Sequence, residues 1–243
     1  MLELRGSIAP LITPFTDDGS GVSEIRLARL VRRLVAQGIG GFIVATETGE
    51  FTSLSFSERK QVLEIVVREC QGALPVMTNV STLNTASSLD LAQHAQRHGA
   101  RAVVMMPPYY GTFTQSELEW HYRNVVQYAE VPLIVVDPLD LIGSELDARL
   151  QELRSCVVTE KPSRSDRFHT ATGRISPIWN LPLELTHDAA SQLKDLADTY
   201  GGAKVVKTAL EEMSIEMGMP RKPLQALDRE VQLKVEAIVA SAL

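Results

Sequence analysis

Four stretches of this sequence carry groups whose type and spacing could do chemistry. Lys161 closes the apolar run CVVTEK (156–161) and is followed at once by Pro162. A lysine there is either a solvated cap on a strand or an amine held in a dry place. The second has a use: burial lowers an amine's pKa from about 10.4, and only the unprotonated amine attacks a carbonyl. ATETGEFTSL (45–54) offers the Thr48 hydroxyl and the flexible backbone at Gly49 to an anionic group, with the carboxyl of Glu47 beside them. MMPPYYGTFTQ (105–115) fixes Tyr109 and Tyr110 behind two prolines, as site groups or as loop and intersubunit packing. VDPLDLIG (136–143) is the fourth stretch. His94 and His98 stand four apart on a helical pattern, which is metal-ligand spacing. With no third ligand in view they read as surface residues rather than a zinc site. His121, His169 and His187 have no partners that the sequence identifies.

These groups need a scaffold, and the alternation of patterns supplies one. Strand-like SIAPLIT (7–13), GGFIVAT (40–46), LPVMTNV (74–80), RAVVMM (101–106), VPLIVVD (131–137) and CVVTEK (156–161) are separated by amphipathic helical patterns over 23–38, 57–70, 85–99, 116–129 and 144–154. Strands alternating with helices predict a parallel α/β sheet, and the spacing suits a TIM-type (β/α)8 barrel, whose functional groups sit at the C-terminal ends of its strands. All four stretches fall there. After Lys161 the rhythm breaks: 162–173 is polar and turn-like, RISPIW (174–179) is a seventh strand candidate, and no eighth is evident. Three helical stretches follow, the last two over 203–218 and 224–243. A full barrel takes about 250 residues on its own, and here the terminal helices use some of the 243, so the chain is short by roughly one βα unit. The expectation is an incomplete barrel over 1–200 with a helical extension over 201–243. A net charge of −6 disfavours a nucleic-acid partner. Nothing reads as a membrane span or a signal peptide, and Cys70 and Cys156 read as buried free thiols of a cytoplasmic protein.

LRGSIAPLITPF, TGEFTSLSFSERKQVL, GARAVVMMPPYYGTFTQSEL, GRISPIWNLPLEL and KTALEEMSIEMGMPRKPLQAL, in that order and spacing, resemble the pyruvate-dependent class I aldolase family of dihydrodipicolinate synthase and N-acetylneuraminate lyase. The wording of TGEFTSL and MMPPYY leans towards its sugar-acid dehydratase side. The resemblance implies a cofactor-free, metal-free lyase, an aldolase or dehydratase acting on pyruvate or a 2-oxo sugar acid, in a homo-oligomer (dimer or tetramer). It implies Lys161 as Schiff-base nucleophile, Tyr110 and Glu47 as proton carriers, and Thr48, Gly49, Tyr109 and Ile175 as substrate contacts. The sequence also departs from the family pattern. Glu47 stands in place of the first relay threonine, Val136-Asp137 in place of Tyr-Asn, and Leu141 near where an arginine is often found. Strand alternation puts Val157, Thr159 and Lys161 on one face and Glu160 on the other, so the lysine and its neighbouring acid cannot both face inward. A degenerate paralogue that binds a 2-oxo acid or an active relative without turnover is the alternative expectation.

Overall fold

Runs of four or five β-branched and apolar residues, bounded by glycine and proline, are too short for helices and must be covered on both faces. The computed structural model describes residues 4–137, 140–153, 156–158, 169–170, 173–181 and 185–242. In it those runs pair as β1 (Gly6–Pro10), β2 (Gly41–Val44), β3 (Val76–Asn79), β4 (Ala102–Met105), β5 (Leu133–Val135) and β6 (Cys156–Val158). The helices between them are α1 (Glu24–Ala36), α2 (Phe56–Cys70), α3 (Thr85–Arg97), α4 (Gln115–Ala129) and α5 (Ser144–Gln151). Capping boxes set where α2 and α4 begin. Ser55 and Glu58 exchange side-chain and backbone bonds at one, Thr114 and Glu117 at the other, each satisfying donors the first turn leaves free.

The sheet runs β6-β5-β4-β3-β2-β1-β8-β7, where β7 (His169–Thr170) and β8 (Gly173–Ile175) form an antiparallel pair and every other neighbour is parallel. The expected strand over 174–179 is therefore shorter, and a two-residue strand precedes it. Pro177 lacks the N–H a ladder needs, and Pro177–Asn180 turns into a 3-10 helix instead. β8 lies beside β1 (Ile8 opposite Ile175), the place of a barrel's closing strand, so the shortfall falls between β6 and β8. Among the described residues β6 and β7 are unpaired edges, and the ring stays open.

Two apolar clusters follow from the alternation of side chains along parallel strands. Ile8, Ile43, Met77, Ala102, Val104, Ile134 and Val136, one or two from each of β1 to β5 and the residue after it, fill the inside of the ring with Leu4. Their alternate neighbours, such as Ala9, Phe42, Val44, Val103 and Leu133, pack outward against the helices. Helices α6 (His187–Tyr200), α7 (Gly202–Glu212) and α8 (Arg229–Ala242) join the outer cluster through Leu193, Val206, Leu210 and Val235. Both helical stretches expected at 203–218 and 224–243 are shorter than their patterns. After α7 the chain turns left-handed at Ser214, and the Glu211 carboxylate accepts the N–H groups of Met217 (2.6 Å) and Gly218 (3.0 Å). At α8 the Asp228 carboxylate accepts from Val231 N–H, which places the start there rather than at Leu224. Among the described residues no helix is long and apolar enough to cross a membrane.

Candidate active site

The loop after β2 is built as a tight turn pressed on the end of β1. Glu50 N–H bonds Glu47 O, Phe51 N–H bonds Thr46 O, and Ala45 and Glu50 take left-handed backbone angles. Gly49 has to be glycine for want of space. A Cβ there would lie 2.8 Å from Leu11 O and 3.3 Å from the Thr13 hydroxyl, which itself donates to Gly49 O at 2.8 Å. Thr48 and Gly49 are thus buried at the C-terminal mouth of the ring. The start of α7 comes close to the same point: a Cβ on Gly202 would stand 3.4 Å from Thr48 Oγ1 and 3.1 Å from Pro177.

The neighbouring strand ends are stapled by side chains. Asn79 donates to Ala45 O (2.8 Å), accepts from the Ser81 N–H and hydroxyl, and the Ser81 oxygen accepts from Met106 N–H (2.8 Å), tying β2, β3 and β4 together. Asn180 does this at the other side. It accepts from Ile12 N–H (2.8 Å) and donates to Pro10 O (3.0 Å) and Pro177 O (2.8 Å). From the helical layer Arg59 donates to Ser81 O (3.0 Å) and Asn79 O (2.6 Å). Burial pushes its guanidinium down to about 10, with Tyr109 opposing that shift. The Phe51 ring lies over Arg59 and meets Tyr109 edge-on, with ring centroids 6.5 Å apart.

Glu50, in the same loop, is a functional-looking group that the sequence reading passed over. It is fully buried; Oε1 lies 2.7 Å from Lys207 Nζ and Oε2 accepts from Arg221 N–H at 2.8 Å. Lys207 is itself 2 % exposed. Burial pulls its amine below the usual lysine range, and Glu50 pulls it part of the way back. Its ammonium and the Arg221 guanidinium both lie against the Phe15 ring, 4.1 Å and 4.2 Å from the centroid. Arg221 also donates to Gly19 O, Ser53 O and Glu58 Oε1. The only sequence signal for this network was that the segments holding Glu50 and Lys207 both belong to the family-like stretches.

Of the expected site residues, Thr48 and Gly49 are brought together at the mouth, and Ile175 is half-buried against the inner cluster. Tyr109 is 40 % exposed on the Phe51 edge, Tyr110 is 82 % exposed, and Glu47 faces solvent, so these three do not converge on Thr48 within one chain. Lys161, with Thr159 and Glu160, lies outside the described residues. Where the family pattern has a phenol, Val136 adds hydrocarbon to the ring's interior. Asp137 turns to the backbone, accepting from Leu141 N–H (2.9 Å) and Ile142 N–H (2.7 Å). A further hydroxyl, Ser176 Oγ just past β8, is buried with no hydrogen-bond partner among the described residues. Cys70 is buried and its thiol is pushed up to about 11, which removes it from nucleophilic chemistry.

A parallel (β/α) ring with its polar groups collected at the C-terminal strand ends is the architecture of barrel enzymes. Residues 3–156 match the family model described as the dihydrodipicolinate synthetase family, and the chain belongs to that family. It is 35% identical over 168 residues (68% of this chain, 56% of the relative) to the 4-hydroxy-tetrahydrodipicolinate synthase of Methanopyrus kandleri. It is 40% identical over 144 residues (59% and 48%) to the N-acetylneuraminate lyase of Escherichia fergusonii. The chain thus spans about half the length of these curated relatives. In fold it is similar to the dihydrodipicolinate synthase of Bacillus clausii (TM-score 0.84, 20% identity, 98% of this chain and 97% of that one). It is similar also to the N-acetylneuraminate lyase of Proteus mirabilis (TM-score 0.83, 22% identity, 99% of each).

Proposed function

We propose that this protein is a Schiff-base-forming lyase, an aldolase or dehydratase, that acts on pyruvate or a 2-oxo sugar acid. The observation that carries the reading is the buried Thr48–Gly49 turn, held at the mouth of the ring of a chain that belongs to the dihydrodipicolinate synthetase family. In this reading the substrate carboxylate rests on the Thr48 hydroxyl and the backbone beside Gly49, and Tyr109 and Ile175 border the bound acid. The Lys161 amine adds to the C2 carbonyl, and the carbinolamine loses water to leave an iminium. That cation draws in the electron pair released when the C3–C4 bond or a C3–H bond is broken. The enamine so formed is reprotonated at C3, or expels a protonated C4 hydroxyl as water, and the resulting iminium is hydrolysed. Tyr110 and Glu47 carry protons at the rim. What supports Lys161 as the nucleophile is the resemblance of the surrounding stretches, which implies that it stands at the family's Schiff-base position.

Lys207 is a buried lysine, yet its ammonium is engaged by Glu50 and Phe15, which suits structure rather than addition to a ketone. A second reading, a degenerate paralogue that binds a 2-oxo acid without turnover, is favoured by one observation. Val136 puts hydrocarbon where a proton donor would serve the carbinolamine. The proposed assembly is a dimer or tetramer that covers the open edges of the sheet.

Borohydride trapping tests both readings. The protein is incubated with pyruvate, reduced, digested and mass-mapped. A reduced adduct on the Lys161 peptide that is lost in Lys161→Ala supports the lyase. No adduct with pyruvate or any 2-oxo acid, alongside binding of the acid by calorimetry, supports the degenerate reading. An adduct on Lys207 instead overturns the assignment of the nucleophile.

A further inference from the structure

The pair His94 and His98 acquires in the fold the third ligand that the sequence did not reveal. Both sit at the C-terminal end of α3, with His98 as its C-cap, and Glu64 faces them from α2. Glu64 Oε1 lies 2.7 Å from His94 Nε2 and 3.9 Å from His98 Nε2, and one ligand atom from each residue falls within 4.8 Å of the others. The two imidazoles are stacked, 4.1 Å between centroids and 20° from parallel. His94 is buried, not a surface residue as its sequence context suggested, while His98 and Glu64 keep 42% and 45% of their side chains exposed.

We propose that Glu64, His94 and His98 form a binding site for a borderline divalent transition metal of the zinc class. Two imidazoles and one carboxylate are a donor set such ions accept, with the fourth tetrahedral position left to water. Bonds of about 2.0–2.2 Å to a tetrahedral ion hold its ligand atoms about 3.3–3.6 Å apart. The observed 2.7 Å and 3.9 Å lie either side of that spacing. Metal entry therefore replaces the proton between His94 Nε2 and Glu64, opens that contact by about 0.6–0.9 Å, and turns the half-exposed His98 ring out of its stack on His94 so that its nitrogen lone pair meets the ion. One cation close enough to act on His94 is itself paired. Lys60, one turn before Glu64, is bridged at 2.6 Å to Asp90, one turn before His94. Because α3 begins at the C-terminal end of β3 and runs back, its His-bearing end lies at the opposite end of the ring from Thr48. The metal ties α2 to α3 and takes no part in chemistry at the mouth.

The test uses the whole chain, stripped of metal with a chelator. Zinc titrated by calorimetry is expected to bind one to one. At free zinc a hundredfold above Kd the melting temperature is expected to rise by about 5–10 °C. His98→Gln and Glu64→Gln, both at half-exposed side chains, should each weaken binding at least tenfold and leave the metal-free melting temperature unchanged. His187→Gln, at an exposed histidine on α6, should change neither. Cobalt in place of zinc should give visible absorption in the wild type that both site variants lose. Absence of one-to-one binding, or binding that survives His98→Gln and Glu64→Gln, or that falls equally in His187→Gln, overturns the proposal. None of these outcomes depends on whether pyruvate labels Lys161.

Discussion

Glu50→Gln removes one charge from a pair that is sealed from water, and little else. The shortened charge set still includes an amide oxygen for Arg221 N–H, so the bond at 2.8 Å survives while the ammonium 2.7 Å away loses its counter-charge. What remains near Lys207 Nζ is Met219 O at 3.5 Å and the face of Phe15. Glu211 still acts on the amine as an anion, a weaker influence than Glu50, with its carboxylate engaged by the Met217 and Gly218 N–H groups. Breaking a buried pair by deleting one partner typically costs about 3–5 kcal/mol, because the other charge stays desolvated. For a domain of this size each kcal/mol lowers the melting temperature by about 2–4 °C, so the expected loss is roughly 6–20 °C.

A pH dependence follows from the same two charges. Burial already holds the Lys207 amine below its ordinary value of 10.5, and Glu50 acts to raise it. Without Glu50 the folded-state value drops further, so between that value and the unfolded one the unfolded chain binds more protons. Stability then rises with pH across that window. The deficit of Glu50→Gln against wild type is therefore largest at neutral pH and narrows towards alkaline pH. Urea denaturation of wild type, Glu50→Gln, Lys207→Met and the double variant, each at neutral and alkaline pH, measures both effects. The double variant should recover much of the loss, since no charge is left stranded. Single-variant costs that add within about 0.5 kcal/mol, which is the signature of independent sites, would refute the reasoning, as would a deficit that grows with pH.

Two further perturbations have readable signs. His121 is buried, its Nδ1 is paired with Thr85 Oγ1 at 2.7 Å, and burial pushes the imidazole down from 6.5 to about 4. The unfolded chain therefore binds more protons between those values, and this group costs stability as pH falls through the window, by about 3 kcal/mol once both states are protonated. His121→Gln should flatten the urea midpoint between pH 6.5 and 4 relative to wild type, and an unchanged slope would refute the assignment. Gly49→Ala places a methyl 2.8 Å from Leu11 O, an overpacking that costs about 1–3 kcal/mol. It should also weaken 2-oxo acid binding by displacing the turn, and a melting curve and calorimetric affinity that both match wild type would count against the cradle.

How far the sequence reached depended on the range of the interaction. β1 to β6 and α1 to α5 were legible because each follows from a local period, with α2 capped at Ser55 instead of Ser57 because the capping box sits there. RISPIW was legible as a strand, but its place beside β1 was not, since the pairing of Ile8 with Ile175 joins distant parts of the chain and no local pattern encodes it. α7 looked two turns too long because the apolar period continues past Glu212, whereas the stop is a tertiary detail, the Glu211 carboxylate on Met217 and Gly218. Thr48 and Gly49 were placed by their position after a strand. Glu50–Lys207 and Glu64–His94 were invisible for the same reason as each other: one partner alone reads as an ordinary surface charge, and only packing shows that the second is there.

Divided around the ring, the mouth has two characters. From β1 to β4 its polar groups are mutually satisfied: Thr13 on Gly49, Asn79 on Ala45 and Ser81, Ser81 on Met106. Satisfied buried networks of this kind are rigid, and a rigid cradle is what holding a carboxylate requires. On the far side Val136 contributes a hydrocarbon, Asp137 spends both oxygens on the backbone, and β6 and β7 are, among the described residues, the unpaired edges. In the proposed reading, anchoring and proton transfer are thus carried by different arcs of one sheet, with separate supports. A change on the second arc can abolish turnover and leave recognition of a 2-oxo acid standing, which is why binding and adduct formation have to be measured as two quantities on the same protein.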